Sequence, residues 1–253
     1  MSTPSLAEDS RGTLLVTGGS RGIGAAVVRQ GSAAGYDVAF TYVRERAAAD
    51  ALIAEIAAAG RRAIAIPADV AGEDDIVAAF LAVDDAFGPL TGLVNNAGIV
   101  GATCRVEGIE REMLERVFAV NVIGTMLCCR EAVRRMSTAQ GGSGGAIVNL
   151  SSRAADIGGG GVYVHYAASK GAIDSLTIGL ATEVAAEGIR VNAVAPGLIL
   201  TEIHAPGRLE KLVPSVPMKR AGTADEVAET ILWLLSPASS YVTGAVLDVG
   251  GGR

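Results

Sequence analysis

The sequence predicts an α/β fold, a doubly wound parallel sheet of about seven strands with helices on both faces. Three observations predict it. Short apolar runs with strand character alternate with helix-length runs along nearly the whole chain, the pattern of a parallel sheet covered on both sides. The first apolar run opens directly into a glycine-rich turn and then a helical run. The composition is half hydrophobic and only 4% aromatic, with 33 glycines. That suits a Val, Ile, Leu and Ala core with many tight corners between strand and helix.

The strands are expected at Thr13–Val16, Asp37–Val43, Ala63–Pro67, Gly92–Val94, Ala146–Leu150, Ile189–Val194 and Ala245–Val249. Helices fill the gaps at Gly22–Ala34, Arg46–Ala59, Asp74–Phe87, Arg111–Met136, Tyr166–Glu187 and Ala224–Leu235. Thr223 and Glu226 stand three apart ahead of the last helix and form a capping box. Gly188 follows Glu187 as a left-handed cap. The run Gly141–Gly145 is too short for a linker and reads as a loop, so residues 1–253 are read as one domain.

The chain carries a net charge of −6 and a pI near 5.0, which argues against nucleic acid or an anionic membrane as partner. No apolar run approaches the roughly 20 residues of a membrane span. Met1–Ser10 is polar and reads as a short disordered lead-in. Cys104, Cys128 and Cys129 make no disulfide framework, so a reducing cytoplasm is the expected location. His165 and His204 have no partner at metal-ligand spacing; both read as loop or pocket-rim residues, and no metal site is expected.

Two motifs carry chemistry. Thr17-Gly18-Gly19-Ser20-Arg21-Gly22-Ile23-Gly24 sits between strand and helix, where glycines let the backbone approach a pyrophosphate and the helix start faces it. Tyr166 and Lys170 stand four apart in a helical run, on one face. At an effective dielectric near 20, a cation about 5 Å from a phenol is worth roughly 3 kcal/mol. The phenolate is then expected within reach near neutral pH, and Tyr166 becomes a candidate acid/base. In doubly wound folds ligands sit beyond the carboxyl ends of the strands. The glycine turn, Asn95–Gly98, Ser151-Ser152 and Pro196-Gly197 each follow a predicted strand and are expected to gather there.

These residues, in order with Asp69-Val70, Asn95-Asn96-Ala97-Gly98, Asn121-Val122-x-Gly124, Asn149-Leu150-Ser151-Ser152, Val191-Asn192-x-Val194-x-Pro196-Gly197 and Tyr241-Val242-Thr243-Gly244, resemble the short-chain dehydrogenase/reductase family of the classical type. Within it the chain is most similar to bacterial sugar-dehydrogenase-like and 3-oxoacyl-acyl-carrier-protein-reductase-like members. The resemblance implies a Rossmann-like fold and hydride transfer between a nicotinamide cofactor and a small carbonyl or secondary-alcohol substrate. It makes Tyr166 the general acid/base. Lys170 lowers the phenol's pKa and binds the nicotinamide ribose, Ser152 bonds the substrate oxygen, and Asn121 holds a water that links Lys170 to solvent. On the cofactor side it implies Gly18, Ser20, Arg21, Gly22, Ile23 and Gly24 in the turn. Asp69 and Val70 then meet the adenine, and Asn95, Ala97 and Gly98 shape the adenosine pocket. Pro196, Gly197, Ile199 and Thr201 lie past the sixth strand, with Thr201 at the carboxamide or phosphate. Homotetramers through Arg111–Met136 and Tyr241–Gly252 are also implied, the former helix carrying Val117, Val120, Gly124, Leu127 and Cys128.

The family separates its Ser and Tyr by twelve residues, and here strict counting lands on Arg153. Ser152 is chosen on the strand-end motif, with Ser151 as runner-up and the extra residue assigned to the Gly158–Gly161 turn. NADP(H) is expected over NAD(H), because the second strand ends at Tyr42 without the Asp of NAD-preferring relatives and offers Arg44, with Arg21 in the turn. Residues 202–220 read as a substrate lid. The alternatives are an NAD-dependent sugar or polyol dehydrogenase and a non-catalytic nucleotide-binding regulator.

Overall fold

The structure, a computed structural model, describes residues 10–202 and 207–253. His204 and the first nine residues of the expected lead-in lie outside them. Seven parallel strands form one sheet: β1 (Thr13–Val16), β2 (Asp37–Tyr42), β3 (Ala63–Pro67), β4 (Leu90–Asn95), β5 (Gly145–Leu150), β6 (Ile189–Pro196) and β7 (Val246–Val249). Their order is β3-β2-β1-β4-β5-β6-β7. The chain runs outward one way from β1 and then the other way from β4. The crevice between these two strands' carboxyl ends is therefore the topological switch point, where such sheets bind ligands.

The described helices are α1 (Gly22–Ala33), α2 (Arg46–Ala58), α3 (Glu73–Phe87), α4 (Arg111–Phe118), α5 (Thr125–Met136), α6 (Ala154–Ile157), α7 (Val164–Val184), α8 (Arg208–Leu212) and α9 (Ala224–Leu235). Strand alternation divides the core into two. Leu14, Val16, Val38, Phe40, Val94 and Val148 pack under α1, α2 and α9. Leu15, Ala39, Leu93 and Ile147 pack under α3, α5 and α7. The Thr223–Glu226 capping box is formed, and Gly188 closes the turn after α7 at φ 75°.

The expected helix Arg111–Met136 is interrupted. Between α4 and α5 runs a π-helical turn, Ala119–Gly124. Such wide turns are frequent at functional sites. Here Gly124 lies against the loop after β3, and a Cβ on it would meet the Val70 carbonyl oxygen at 2.3 Å. The turn also leaves Asn121 pointing inward, and the Thr125 hydroxyl donates to the Asn121 carbonyl at 2.9 Å. The interruption changes the surface too. Val117, Val120, Gly124 and Cys128 are buried in the chain's own interior, and the apolar side chains left outside are Ile123 and Met126. Among the described residues, no helix is long and apolar enough to cross a membrane.

Candidate active site

A cleft of about 850 Å³ opens at the switch point. One end is built by the loops after β1, β2, β3 and β4. Gly18 takes a left-handed φ of 64°, and its N–H donates to the Thr41 hydroxyl at 3.0 Å. The Asn96 amide donates to the Thr17 and Gly18 carbonyls at 2.9 and 2.8 Å, so the glycine turn is tied to the loop after β4. A Cβ at Gly24 would lie 2.4 Å from the Gly18 carbonyl oxygen. That glycine lets α1 pack against the turn and is not part of the cleft wall.

No side chain caps the start of α1, which leaves its first N–H groups available to an anion. Gly18, Ser20, Arg21, Gly22 and Ile23 line the cleft beside it. Farther along, Tyr42, Arg44, Asp69 and Val70 form the wall. Asp69 accepts from Arg116 at 2.7 Å and from the Ala71 N–H at 3.0 Å. Burial alone would raise its carboxyl, but those two bonds and the nearby Arg44 charge hold it below the usual range. Ala97, Gly98, Pro196, Gly197, Ile199 and Thr201 complete this side. A cleft with an uncapped helix start in its wall fits a dinucleotide.

Asn95, expected in the adenosine pocket, lies behind it. It is the last residue of β4, 3% exposed, and its amide donates to Asn149 at 2.9 Å and to the Cys129 sulfur at 3.3 Å. Asn96, the first residue past the strand, lines the cleft instead. Strand alternation and the strand's end could have separated the two. Arg116, Thr41, Tyr163 and Arg253 also line the wall without having stood out in the sequence.

The other end carries the candidate acid/base groups. The side chains of Tyr166 and Ser152 both line the cleft. The Lys170 ammonium lies 5.8 Å from the centre of the Tyr166 ring and donates to the Leu150 carbonyl at 2.6 Å. Tyr163 packs edge-on against Tyr166, with centroids 5.8 Å apart. The net shift of the phenol runs opposite to the expected one. Tyr166 is partly exposed by area, but only toward the cleft. Burial pushes its pKa up, Ser152 pulls against that, and Tyr163 adds to the rise. Burial also lowers Lys170 from 10.5 to about 8, with Asp174 opposing.

Ser151 lines the cleft as well. Its hydroxyl donates to the Lys170 carbonyl at 3.4 Å. The stretch between Ser152 and Tyr166 contains α6, which ends at Gly158 with φ 80°. Arg153 braces that loop. It pairs with Asp156, reaches Asp248 of β7 at 2.7 Å, and donates to the Arg253 main-chain oxygen at 2.8 Å.

Asn121 is fully buried and does not line the cleft. Its amide accepts from the Ile99 N–H and donates to the Ile99 carbonyl, both at 2.9 Å, and donates to Ser169 at 3.0 Å. It thereby fixes the loop after β4 against α7. A Cβ on Gly98 would stand 3.4 Å from Asn121 Oδ1 and 3.5 Å from Lys170 Nζ, so the two side chains flank that glycine. His165, expected at the pocket rim, is 3% exposed, and its Nε2 bonds the Val100 carbonyl at 2.9 Å. Among the described residues no group of three metal-ligating side chains gathers. Cys128 and Cys129 are inert in this setting; burial raises both thiols, Cys129 to about 12.

A switch-point cleft with a glycine turn at one end and a Tyr–Lys–Ser cluster at the other defines a nicotinamide-dependent oxidoreductase. The comparisons agree with that class. The family model described as enoyl-(acyl carrier protein) reductase matches residues 18–253. An uncharacterized oxidoreductase of Escherichia coli K12, YgfF, is 52% identical over 243 residues, covering 94% of this chain and 98% of the relative. A blue fluorescent protein from a metagenomic library, solved in complex with NADPH, superposes with a TM-score of 0.89 at 37% identity, covering 96% of this chain and 98% of that one. The 3-ketoacyl-(acyl-carrier-protein) reductase of Brucella melitensis, solved with NADH, gives 0.90 at 34% identity with the same coverage. The chain belongs to the short-chain dehydrogenase/reductase family and is an oxidoreductase of that family.

Proposed function

We propose that the protein is an NADP(H)-dependent carbonyl reductase or secondary-alcohol dehydrogenase with Tyr166 as general acid/base. The observation that carries this reading is the placing of Ser152, Tyr166 and Lys170 together in the wall of one cleft, with the Lys170 ammonium 5.8 Å from the Tyr166 ring centre. A bound nicotinamide supplies or takes up the hydride. In reduction, Tyr166 gives its proton to the substrate oxygen, and Ser152 donates a hydrogen bond to that oxygen as negative charge develops. The raised phenol pKa keeps Tyr166 protonated at neutral pH, so the site stands ready as a donor. Lys170, charged below about pH 8, stabilises the phenolate left behind and binds the nicotinamide ribose. Asn121 Oδ1 keeps a lone pair beyond the Ile99 N–H for a water that returns the proton. In alcohol oxidation the same groups run in reverse.

Cofactor preference is argued from the end of β2. No carboxylate stands at Tyr42, and Arg21 and Arg44 are exposed beside the cleft, suited to charge-assisted bonds with a 2′-phosphate. Relatives of known structure hold NADPH or NADH, so the residues have to decide. Glu45, also in the cleft wall, favours the second reading, an NAD-dependent sugar or polyol dehydrogenase, because it could accept from ribose hydroxyls. Measuring kcat/KM with both cofactors over a panel of ketones, oxoacyl thioesters and sugars tests the reading, and an NAD preference with sugar turnover would replace it.

Glu202 and Leu212 border the cleft, which supports residues 202–220 as the lid. Ile123 and Met126, 52% and 44% exposed, support pairing of subunits, most simply as a homotetramer. Light scattering tests that, and a monomeric mass at micromolar concentration would remove it. Three free cysteines suit a reducing cytoplasm.

A further inference from the structure

The geometry points to His165 as a positioning residue for the proposed reaction: its imidazole pins the loop after β4, which walls the cleft, to the first turn of α7, one residue before Tyr166. The purpose of this tie rests on the function proposed above. Ile99, Val100, Gly101 and Thr103 all line the cleft, as does Tyr166. The course of that loop therefore helps to set the room left for a substrate.

His165 stands behind the loop and is 3% exposed. Its Nε2 bonds the Val100 carbonyl at 2.9 Å. A carbonyl only accepts, so Nε2 carries the proton, and a neutral ring then presents Nδ1 as an acceptor. Nδ1 is buried and has no hydrogen-bond partner among the described residues. An unsatisfied buried polar atom is rare enough to require a reason. Stability does not supply one. The penalty of the orphaned Nδ1 offsets what the Nε2 bond contributes, so an apolar side chain of similar bulk would fold as well. What it could not do is fix Val100.

The loop is shaped to meet the ring. Gly101 takes a left-handed φ of 77°. A Cβ there would stand 3.0 Å from His165 Nε2, 3.0 Å from a Val117 methyl and 3.3 Å from the Met113 sulfur. Glycine thus lets the backbone lie close over the imidazole. Other ties hold the loop from other directions. Asn121 of the π-helical turn grips Ile99, the Ala102 N–H reaches the Met113 sulfur of α4 at 3.2 Å, and the Cys104 N–H donates to the Val162 carbonyl at 3.0 Å. The bond to Val100 is the one made by a side chain of α7, so it couples the loop directly to the helix that carries Tyr166.

The chain has two histidines, His165 and His204, so 15N-histidine labelling of the full-length protein, with His165→Leu as reference, assigns both signals by NMR. His165 is expected as the Nε2–H tautomer at neutral pH without nucleotide, and an Nδ1–H tautomer overturns the assignment. His165→Leu is expected to melt and to bind NADPH as the wild type does, while kcat/KM for the best ketone falls about tenfold or more. His165→Gln, whose amide reaches as far as Nε2, is expected to restore most of that loss. An unchanged kcat/KM in His165→Leu, an equal loss in both variants, or a matching loss of NADPH affinity overturns the proposal. Should His165→Leu not fold, His165→Asn, whose amide stops short of Val100, takes its place. A wild type that turns over no carbonyl or alcohol fails the proposed function instead. The tie is then decided by hydrogen exchange of the Val100–Cys104 amides, which is expected to be faster in His165→Leu and, if equal, overturns it.

Discussion

The two ends of the cleft are built on opposite principles. At the glycine-turn end the loops satisfy one another: Thr41 takes the Gly18 N–H, Asn96 takes two carbonyls, and Arg116 takes Asp69. At the Tyr166 end the groups are electrically uncomfortable. A lysine is buried to 5% exposure, a phenol is pushed up, and a carboxylate oxygen lies unpartnered. The first end is shaped to receive charge brought by a ligand, so its own charges are neutralised or left at the rim. In the proposed reaction the second end moves a proton, and perturbed groups of this kind suit that task.

Four experiments break or sharpen that contrast. Tyr166→Phe is expected to keep fold and cofactor affinity while turnover falls by about two to four orders of magnitude. Retention of half the wild-type rate on a good substrate would dismiss the phenol as proton donor.

Ser152→Ala should cost about two orders of magnitude in kcat, and Ser151→Ala clearly less, because the Ser151 hydroxyl is engaged by the Lys170 carbonyl. The reverse ranking means the register is wrong.

At the other end, Tyr42→Asp should move the ratio of kcat/KM for NADPH over NADH toward NADH by about tenfold, roughly 1.4 kcal/mol. A wild type that prefers NADH, or a variant that does not shift, counts against the role given to Arg21 and Arg44.

The smallest effect is on stability. The unfolded chain holds the Lys170 proton up to the ordinary 10.5, and the folded one only to about 8. Below pH 8 both states carry it, and the folded state bears the full cost of burial. Between 8 and 10.5 the unfolded state binds more protons, so rising pH stabilises the wild type. Lys170→Met is therefore expected to be inactive but more stable at pH 7 by about 1–2 kcal/mol, after the lost bond to Leu150 is set against the relieved burial. Thermal melts should show that advantage shrinking toward pH 10. A destabilised variant would mean the lysine is not strained by burial.

The contrast also explains what could be read in advance. β1, β3 and α9 fall where expected because apolar runs and a capping box are local signals. The glycine turn was legible because close backbone approach demands glycine at particular positions. The π-helical turn at Ala119–Gly124 was not, since its cause, the Val70 carbonyl against Gly124, comes from a loop some fifty residues earlier. Asn95 and Asn96 were exchanged because a motif names both, while only the end of β4 decides which one reaches the cleft. The direction of the Tyr166 pKa was missed for the same kind of reason. Helical spacing reveals the lysine beside it but not how thoroughly the sheet and neighbouring loops enclose the phenol.

The brace on the serine loop has an order in time. Arg153 stands next to Ser152, but Asp248 and Arg253, two of its anchors, follow 95 and 100 residues later. A chain emerging from the ribosome completes α7, with Tyr166, Lys170 and Asp174, well before it can supply those anchors. Synthesis from the N-terminus therefore delivers Tyr166 first and the anchors of the neighbouring loop last, so that the strand at the sheet's edge acts as the final latch on that loop.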